Sequence, residues 1–177
     1  KLVKDADVCV FSAGLPRNPG IRTRADLLSE NLPAAHICNQ ALRGFSGVLI
    51  TVTNPMDVIN YYLCKSSGLE PRHCIGFGGQ LDSARFGIVL QKRGIKGTPW
   101  VIGEHGEHQV PLFSRLQDPV DIEVREEILA GLRNASMGVI RGKGGTVFGP
   151  ARFLAELIRI IVKDSRECIS CSCILDG

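Results

Sequence analysis

Apolar residues fall along this chain in short, nearly unbroken runs set between longer stretches of mixed polarity. Asp7-Val-Cys-Val-Phe11 and Gly47-Val-Leu-Ile-Thr-Val-Thr53 are two such runs, and each ends in turn-forming residues. A short continuous run of this kind marks a strand covered on both faces, as in parallel sheets. His73-Cys-Ile-Gly76 and Thr98-Pro-Trp-Val-Ile102 read as further short strands, and Cys168 to Leu175 as a last one in which small residues alternate. The intervening stretches have helical character. The first helix runs from Ala25 to about Arg43, with Pro33 expected to kink or divide it near its first turn. Met56 to Lys65 is the second, with Pro55 suited to its opening. Gln80 to Arg93 carries an approximate apolar stripe of Leu81, Ala84, Ile88 and Leu90. Two more helices span about Asp121 to Ile140 and about Pro150 to Lys163, separated by the glycine-rich break Gly142-Lys-Gly-Gly145. Strands alternating with helices predict an α/β fold whose sheet is at least partly parallel.

Composition narrows the class. The chain has 177 residues, 44% hydrophobic and 22% charged, ordinary for a globular protein able to bury a core. The formal net charge is +3, with basic residues spread among acids and no basic face interleaved with aromatics, which argues against nucleic acid as a partner. No apolar run approaches the ~18 residues of a membrane span. The start shows no signal-peptide pattern, so the expected setting is the cytoplasm. Lys1 stands where a Met would, and Gly177 follows an apparent strand, so both ends read as cut.

Seven cysteines invite a metal or disulfide reading. Cys168-Ile-Ser-Cys171 is a C-x-x-C, but no second pair and no histidine follow it, so a closed zinc site lacks ligands. The odd number argues against a disulfide framework. Cys9, Cys38, Cys64 and Cys74 lie in apolar segments and read as core fillers.

Candidate chemistry centres on Gly103-Glu-His105-Gly106, directly after an expected strand. Ligands of open α/β folds bind at such strand ends, and an imidazole titrating near ~6.5 can give or take a proton at neutral pH. A lone loop histidine is the plainer reading. Asp82 and Arg85 are spaced to share one helix face. They are either a surface ion pair or a working pair, the aspartate fixing a histidine tautomer and the arginine gripping a carboxylate. Asn54 is either a turn residue before Pro55 or an amide that both donates and accepts toward a ligand. Arg17, Arg22 and Arg24 share a loop with Gly20, which either is simply solvated or closes over an anion. His105 and His108 as a metal pair lack any helical H-E-x-x-H frame, so no metal is expected.

Five stretches occur in order along nearly the whole chain. They are Ser12-Ala-Gly-Leu-Pro-Arg-Asn-Pro-Gly20, Val52-Thr-Asn-Pro-Met-Asp-Val58, Gly79-Gln-Leu-Asp-Ser-Ala-Arg85, Ile102-Gly-Glu-His-Gly-Glu107 and Lys143-Gly-Gly-Thr-Val-Phe-Gly-Pro150. Together they resemble the lactate/malate dehydrogenase family, and most closely its archaeal-type malate dehydrogenases. The resemblance implies the second part of a Rossmann NAD(P)-binding domain over residues 1–78, followed by part of an α/β (α+β) substrate domain over 79–177. It implies NAD or NADP as cofactor, a small dicarboxylate as substrate, and a homodimer or homotetramer.

The resemblance also implies roles. His105 would be the acid/base and Asp82 its partner, and Arg85 would bind the carboxylate next to the reacting carbon. Ser12, Ala13 and Gly14 would lie along the cofactor with Thr53 and Asn54, Asn54 also touching the substrate oxygen, and Pro55 would be cis. Thr146 would line the substrate pocket. Arg17 would take the second carboxylate of a dicarboxylate, and Arg24, or else Arg22, would face the carbonyl. The spacing from Arg17 to that next arginine departs from the family by one residue, and Glu107 stands where the family has aspartate. The G-x-G-x-x-G fingerprint is not in the chain, and Gly76-Phe-Gly-Gly79 lacks its spacing. The chain alone is therefore expected to be inactive. The competing expectations are a lactate or other 2-hydroxyacid dehydrogenase and a non-catalytic truncated subunit.

Overall fold

The computed structural model describes residues 3–17, 20–21 and 25–175. Arg22 and Arg24 lie outside them. The chain divides into two compact units, one made of Lys1–Phe77 with Cys171–Gly177, the other of Gly78–Ser170.

The first unit is built on a four-stranded sheet. Strands β1 (Val8–Phe11), β2 (Val48–Thr51) and β3 (Cys74–Gly76) run parallel, with Val8 opposite Val48 and Leu49 opposite Cys74. The crossovers are helices α1 (Leu28–Ala41) and α2 (Met56–Ser67), which pack on each other. Leu49, Ile50 and Thr51 of β2 are fully buried, whereas β1 is only half-buried until Phe11 because, among the described residues, it pairs with β2 alone. Phe11, Ala35, Leu42, Leu49, Ile59, Leu63 and Cys74 make the core. Thr51 is buried on β2, and its hydroxyl donates to Asn60 Oδ1 at 3.0 Å, so this polar pair costs little and pins α2 to the sheet.

Two expectations differ here. Pro33 lies inside α1 without dividing it. The bond it removes is the one to the carbonyl of Ser29, on the exposed first turn, where water can serve instead. The last strand shrinks to β6 (Ser172–Cys173), which adds antiparallel to β3, Ile75 opposite Cys173 and Gly76 opposite Ser172. That pairing, with a hydrogen bond of 2.6 Å from Ser172 Oγ to Asp57 Oδ1, goes with Cys171–Gly177 falling in the first unit rather than in the second, where the resemblance put them.

The second unit contains α3 (Gly79–Lys92), a hairpin of β4 (Val101–Gly103) and β5 (Gln109–Pro111), α4 (Ile122–Lys143) and α5 (Phe148–Lys163). Phe86, Leu90, Val101, Ile128 and Leu132 form its core, and Phe86 meets Phe113 edge-on with centroids 5.5 Å apart. Helix α4 continues to Lys143, into the expected break, and ends there at Gly144 in the left-handed conformation. Strand β5 was not legible in the sequence. It turns the histidine loop into the tip of a β-hairpin.

Candidate active site

In the second unit three of the expected residues meet. The first turn of α3 carries Asp82, and the spacing of three places Arg85 on the same face. The β4–β5 loop presents His105. Asp82 Oδ1 accepts from Arg85 Nη1 at 3.0 Å, and Asp82 Oδ2 lies 2.6 Å from His105 Nδ1. All three side chains are largely sequestered, at 4% exposure for Asp82, 9% for His105 and 17% for Arg85. The surface ion-pair reading of Asp82 and Arg85 therefore fails.

Burial makes this pairing obligatory. A carboxylate this far from water needs charge or hydrogen-bond compensation, and the guanidinium with the imidazole supplies both. An ionised carboxylate only accepts, so the ring proton of a neutral His105 sits on Nδ1. The lone pair is then on Nε2. The hairpin is also tied to α3 behind the cluster: the Val101 amide donates to Ser83 Oγ at 3.0 Å, and Ser170 Oγ donates to the Val101 carbonyl. At Gly78 a Cβ would stand 2.3 Å from His105 Cγ, so only glycine lets the imidazole lie against the start of α3.

Thr146 is half-buried in the loop between α4 and α5 and is not a hydrogen-bonding partner of the cluster. His108 is turned to Glu104, with Nδ1 2.5 Å from Oε2. Among the described residues no group of three or more His, Cys, Asp or Glu side chains is placed to hold a metal ion.

The first unit gathers the other expected residues at the C-terminal ends of β1 and β2. Ser12, Ala13 and Gly14 are exposed after β1. Thr53 is buried, and its hydroxyl donates to the Ala13 carbonyl at 2.8 Å, joining the two strand ends. The Asn54–Pro55 peptide is cis, as the resemblance implies. Arg17 folds back on its own loop, Nε donating to the Ile21 carbonyl at 3.2 Å.

One residue here escaped the sequence reading. Asn31 of α1 is completely buried, and its amide nitrogen donates to the carbonyls of Asn54, at 2.7 Å, and Leu15, at 3.1 Å. Its oxygen accepts from the Leu15 amide at 2.6 Å. It clamps the Gly14–Leu15 turn to the Asn54–Pro55 turn. Gly14, at φ +146°, packs so closely that a Cβ would come within 2.6 Å of Asn31 Oδ1. The only signal in the sequence was a polar residue on the inner face of an apolar helix, one place before Leu32-Pro33. Gly78 and Ser83 carry no signal of their own in the sequence, since a glycine beside other glycines and a serine on a helix are ordinary.

The clamp leaves one atom over. Asn54 Oδ1 is buried without a hydrogen-bond partner. Such an atom is costly unless something arrives to donate to it, and the carboxamide of a nicotinamide or the hydroxyl of a 2-hydroxy acid does so. The residues present thus fit that group.

A parallel sheet with its turns gathered at the strand ends marks the first unit as an α/β fold of the Rossmann class. The comparisons specify which. Residues 1–76 match the lactate/malate dehydrogenase NAD binding domain. Malate dehydrogenase of Halobacterium salinarum is 40% identical over 97% of this chain and 60% of its own length. L-lactate dehydrogenase 1 of Bacillus cereus is 33% identical over 98% of the chain and 61% of its own. The malate dehydrogenase of Archaeoglobus fulgidus in complex with NADH superposes with a TM-score of 0.86, at 33% identity, over 99% of this chain and 60% of that one. Along nearly its whole length the chain is similar to members of the lactate/malate dehydrogenase family. It spans about 60% of the length of the relatives it matches.

Proposed function

We propose that the protein is a malate dehydrogenase, interconverting malate and oxaloacetate with NAD. The observation that carries this reading is the buried Asp82–His105–Arg85 cluster. His105 Nε2 takes the C2 hydroxyl proton during oxidation and returns it during reduction. Asp82 holds the ring in the required tautomer and stabilises the imidazolium. Arg85 reaches from the same carboxylate to the C1 carboxylate of the substrate, for which its planar fork is suited. When bound, the nicotinamide takes or gives the hydride. Ser12, Ala13, Gly14, Thr53 and Asn54 are the residues of this chain that hold it. Asn54 Oδ1 is its hydrogen-bond acceptor. Thr146 lines the substrate pocket in this reading, and Arg24 or Arg22 faces the carbonyl. NAD rather than NADP is supported by the NAD-binding family match. A cytoplasmic homodimer or homotetramer goes with the reading through the family resemblance.

Arg17 decides between substrates. Oxaloacetate has a second carboxylate and pyruvate does not, and a buried arginine left without its counter-charge costs about 3–5 kcal/mol. The expected preference for oxaloacetate is on the order of 10² to 10³ in kcat/KM. The test is kcat/KM for both keto acids in the full-length protein and in its Arg17→Gln variant. Preference for oxaloacetate, narrowed or inverted in the variant, supports the reading. A parent that prefers pyruvate makes it a lactate dehydrogenase instead, and an unchanged ratio removes Arg17 from specificity.

A further inference from the structure

The cysteines divide into two populations. Cys64 and Cys74 are buried, and Cys9 and Cys38 half-buried, in the first unit. Burial pushes the Cys9 thiol up, Cys38 up to about 11, and Cys74 up to about 12, the last helped by its hydrogen bond with Cys64. Such thiols are poor nucleophiles at neutral pH. Cys171 and Cys173 are different. Cys173 is exposed and Cys171 half-buried, and their sulfurs lie 3.5 Å apart. Cys171 directly precedes β6 and Cys173 lies in it, so the two thiols are brought together across a single residue, Ser172.

We propose that Cys171 and Cys173 form a thiol–disulfide exchange site that is oxidised to an intramolecular disulfide by low-molecular-weight disulfides such as oxidised glutathione. The Cys173 sulfur attacks one sulfur of the small disulfide, whose other sulfur leaves as a thiolate and is protonated by solvent. Cys171 then loses its proton and attacks the Cys173 sulfur, expelling the second small thiol. One S–S bond breaks, one forms, and two electrons pass from the protein to the small disulfide. The entry point is Cys173, because a hydrogen bond from the Cys171 thiol holds it down to about 6, against the opposing effect of burial. Thiolate is therefore its main form at neutral pH. The gain in thiolate outweighs the lower basicity of the sulfur, so Cys173 should exchange about 30-fold or more faster than Cys38.

Closing the ring has a structural cost at β6 and the residue before it. Two residues of strand span about 6.6 Å, at the wide end of the Cα separation of about 4.4–6.8 Å that a disulfide bridges. The strand must shorten between Cys171 and Cys173, where Ser172 pairs with Gly76 and bonds to Asp57.

The experiment uses the full-length protein with Cys168→Ser, so that the peptide released after Arg166 holds, as far as Gly177, only the two thiols in question. After incubation with oxidised glutathione, remaining thiols are alkylated and the peptide is weighed. The expected product has lost two hydrogens, carries no alkyl group, and returns to the dithiol with dithiothreitol. Adding Cys171→Ser should stop the reaction at a stable glutathione adduct on Cys173. A lasting mixed disulfide without ring closure, a bridge between two protein molecules, or full alkylation of both cysteines would each overturn the proposal.

Discussion

Replacing Asp82 with asparagine exchanges one oxygen for an amino group in the most buried part of the cluster, and its effect can be worked through atom by atom. Arg85 keeps its charge at any accessible pH, so its Nη1, 3.0 Å from Oδ1, retains the amide oxygen as acceptor. The new NH₂ group then occupies the Oδ2 position, 2.6 Å from His105 Nδ1. An NH₂ group only donates. Nδ1 must therefore become the acceptor, and the ring proton moves to Nε2, the atom that should receive the substrate proton. The same inversion in a serine-protease triad lowers kcat about 10⁴-fold, and a fall of about 10² to 10⁴ is expected here. Arg85 also loses its counter-charge while 17% exposed, so about 3–5 kcal/mol of stability is at stake. The two effects separate by measurement. Malate oxidation, followed by nicotinamide absorbance in the full-length protein, reports the chemistry, and the thermal transition reports the fold. A folded variant whose kcat stays within about threefold of the parent would refute the tautomer argument.

Asn31→Leu removes three hydrogen bonds and strands the buried Asn54 carbonyl; a loss of about 1–3 kcal/mol for each group that water cannot reach should appear as a lower melting temperature, with weaker NADH binding by calorimetry. Gly78→Ala drives a Cβ to 2.3 Å from the imidazole, so His105 must shift, and kcat should fall about 10²-fold, the scale of a 1 Å misplacement, while the melting temperature changes little; unaltered turnover would show that the ring has room. His105→Asn should abolish most turnover and leave NADH affinity near that of the parent, since its role concerns the substrate proton alone.

Much of the first unit was legible because parallel strands announce themselves as apolar runs and their crossovers fill the gaps between. Phe11, Leu49 and Cys74 could be assigned to a core from pattern alone. The antiparallel addition of Ser172–Cys173 could not, since its register with Ile75–Gly76 depends on a partner far away in sequence and on two residues of ordinary composition. The second unit shows the same boundary. His105, Asp82 and Arg85 were recognisable as residue types at telling spacings, but that one carboxylate serves both others, and so fixes the ring proton, is a fact of three dimensions. Asn31 marks the limit most clearly. A polar residue in a helix says nothing of which carbonyls it will find.

The return of β6 to the first sheet has a consequence for how the chain is made. Strands β1 to β3 leave the ribosome early, yet the strand that closes the free side of β3 follows only after all of Gly78–Ser170 has been synthesised. At about 5–20 residues per second, that side stays open for roughly 5–20 s. An open strand edge is a template for pairing with another chain. Here the hazard is limited by length: β3 has only three residues, Cys74 to Gly76, and the last has no side chain to add to an interface. A nascent chain must wait for a partner strand that lies beyond a whole further unit, and the strand left waiting is short.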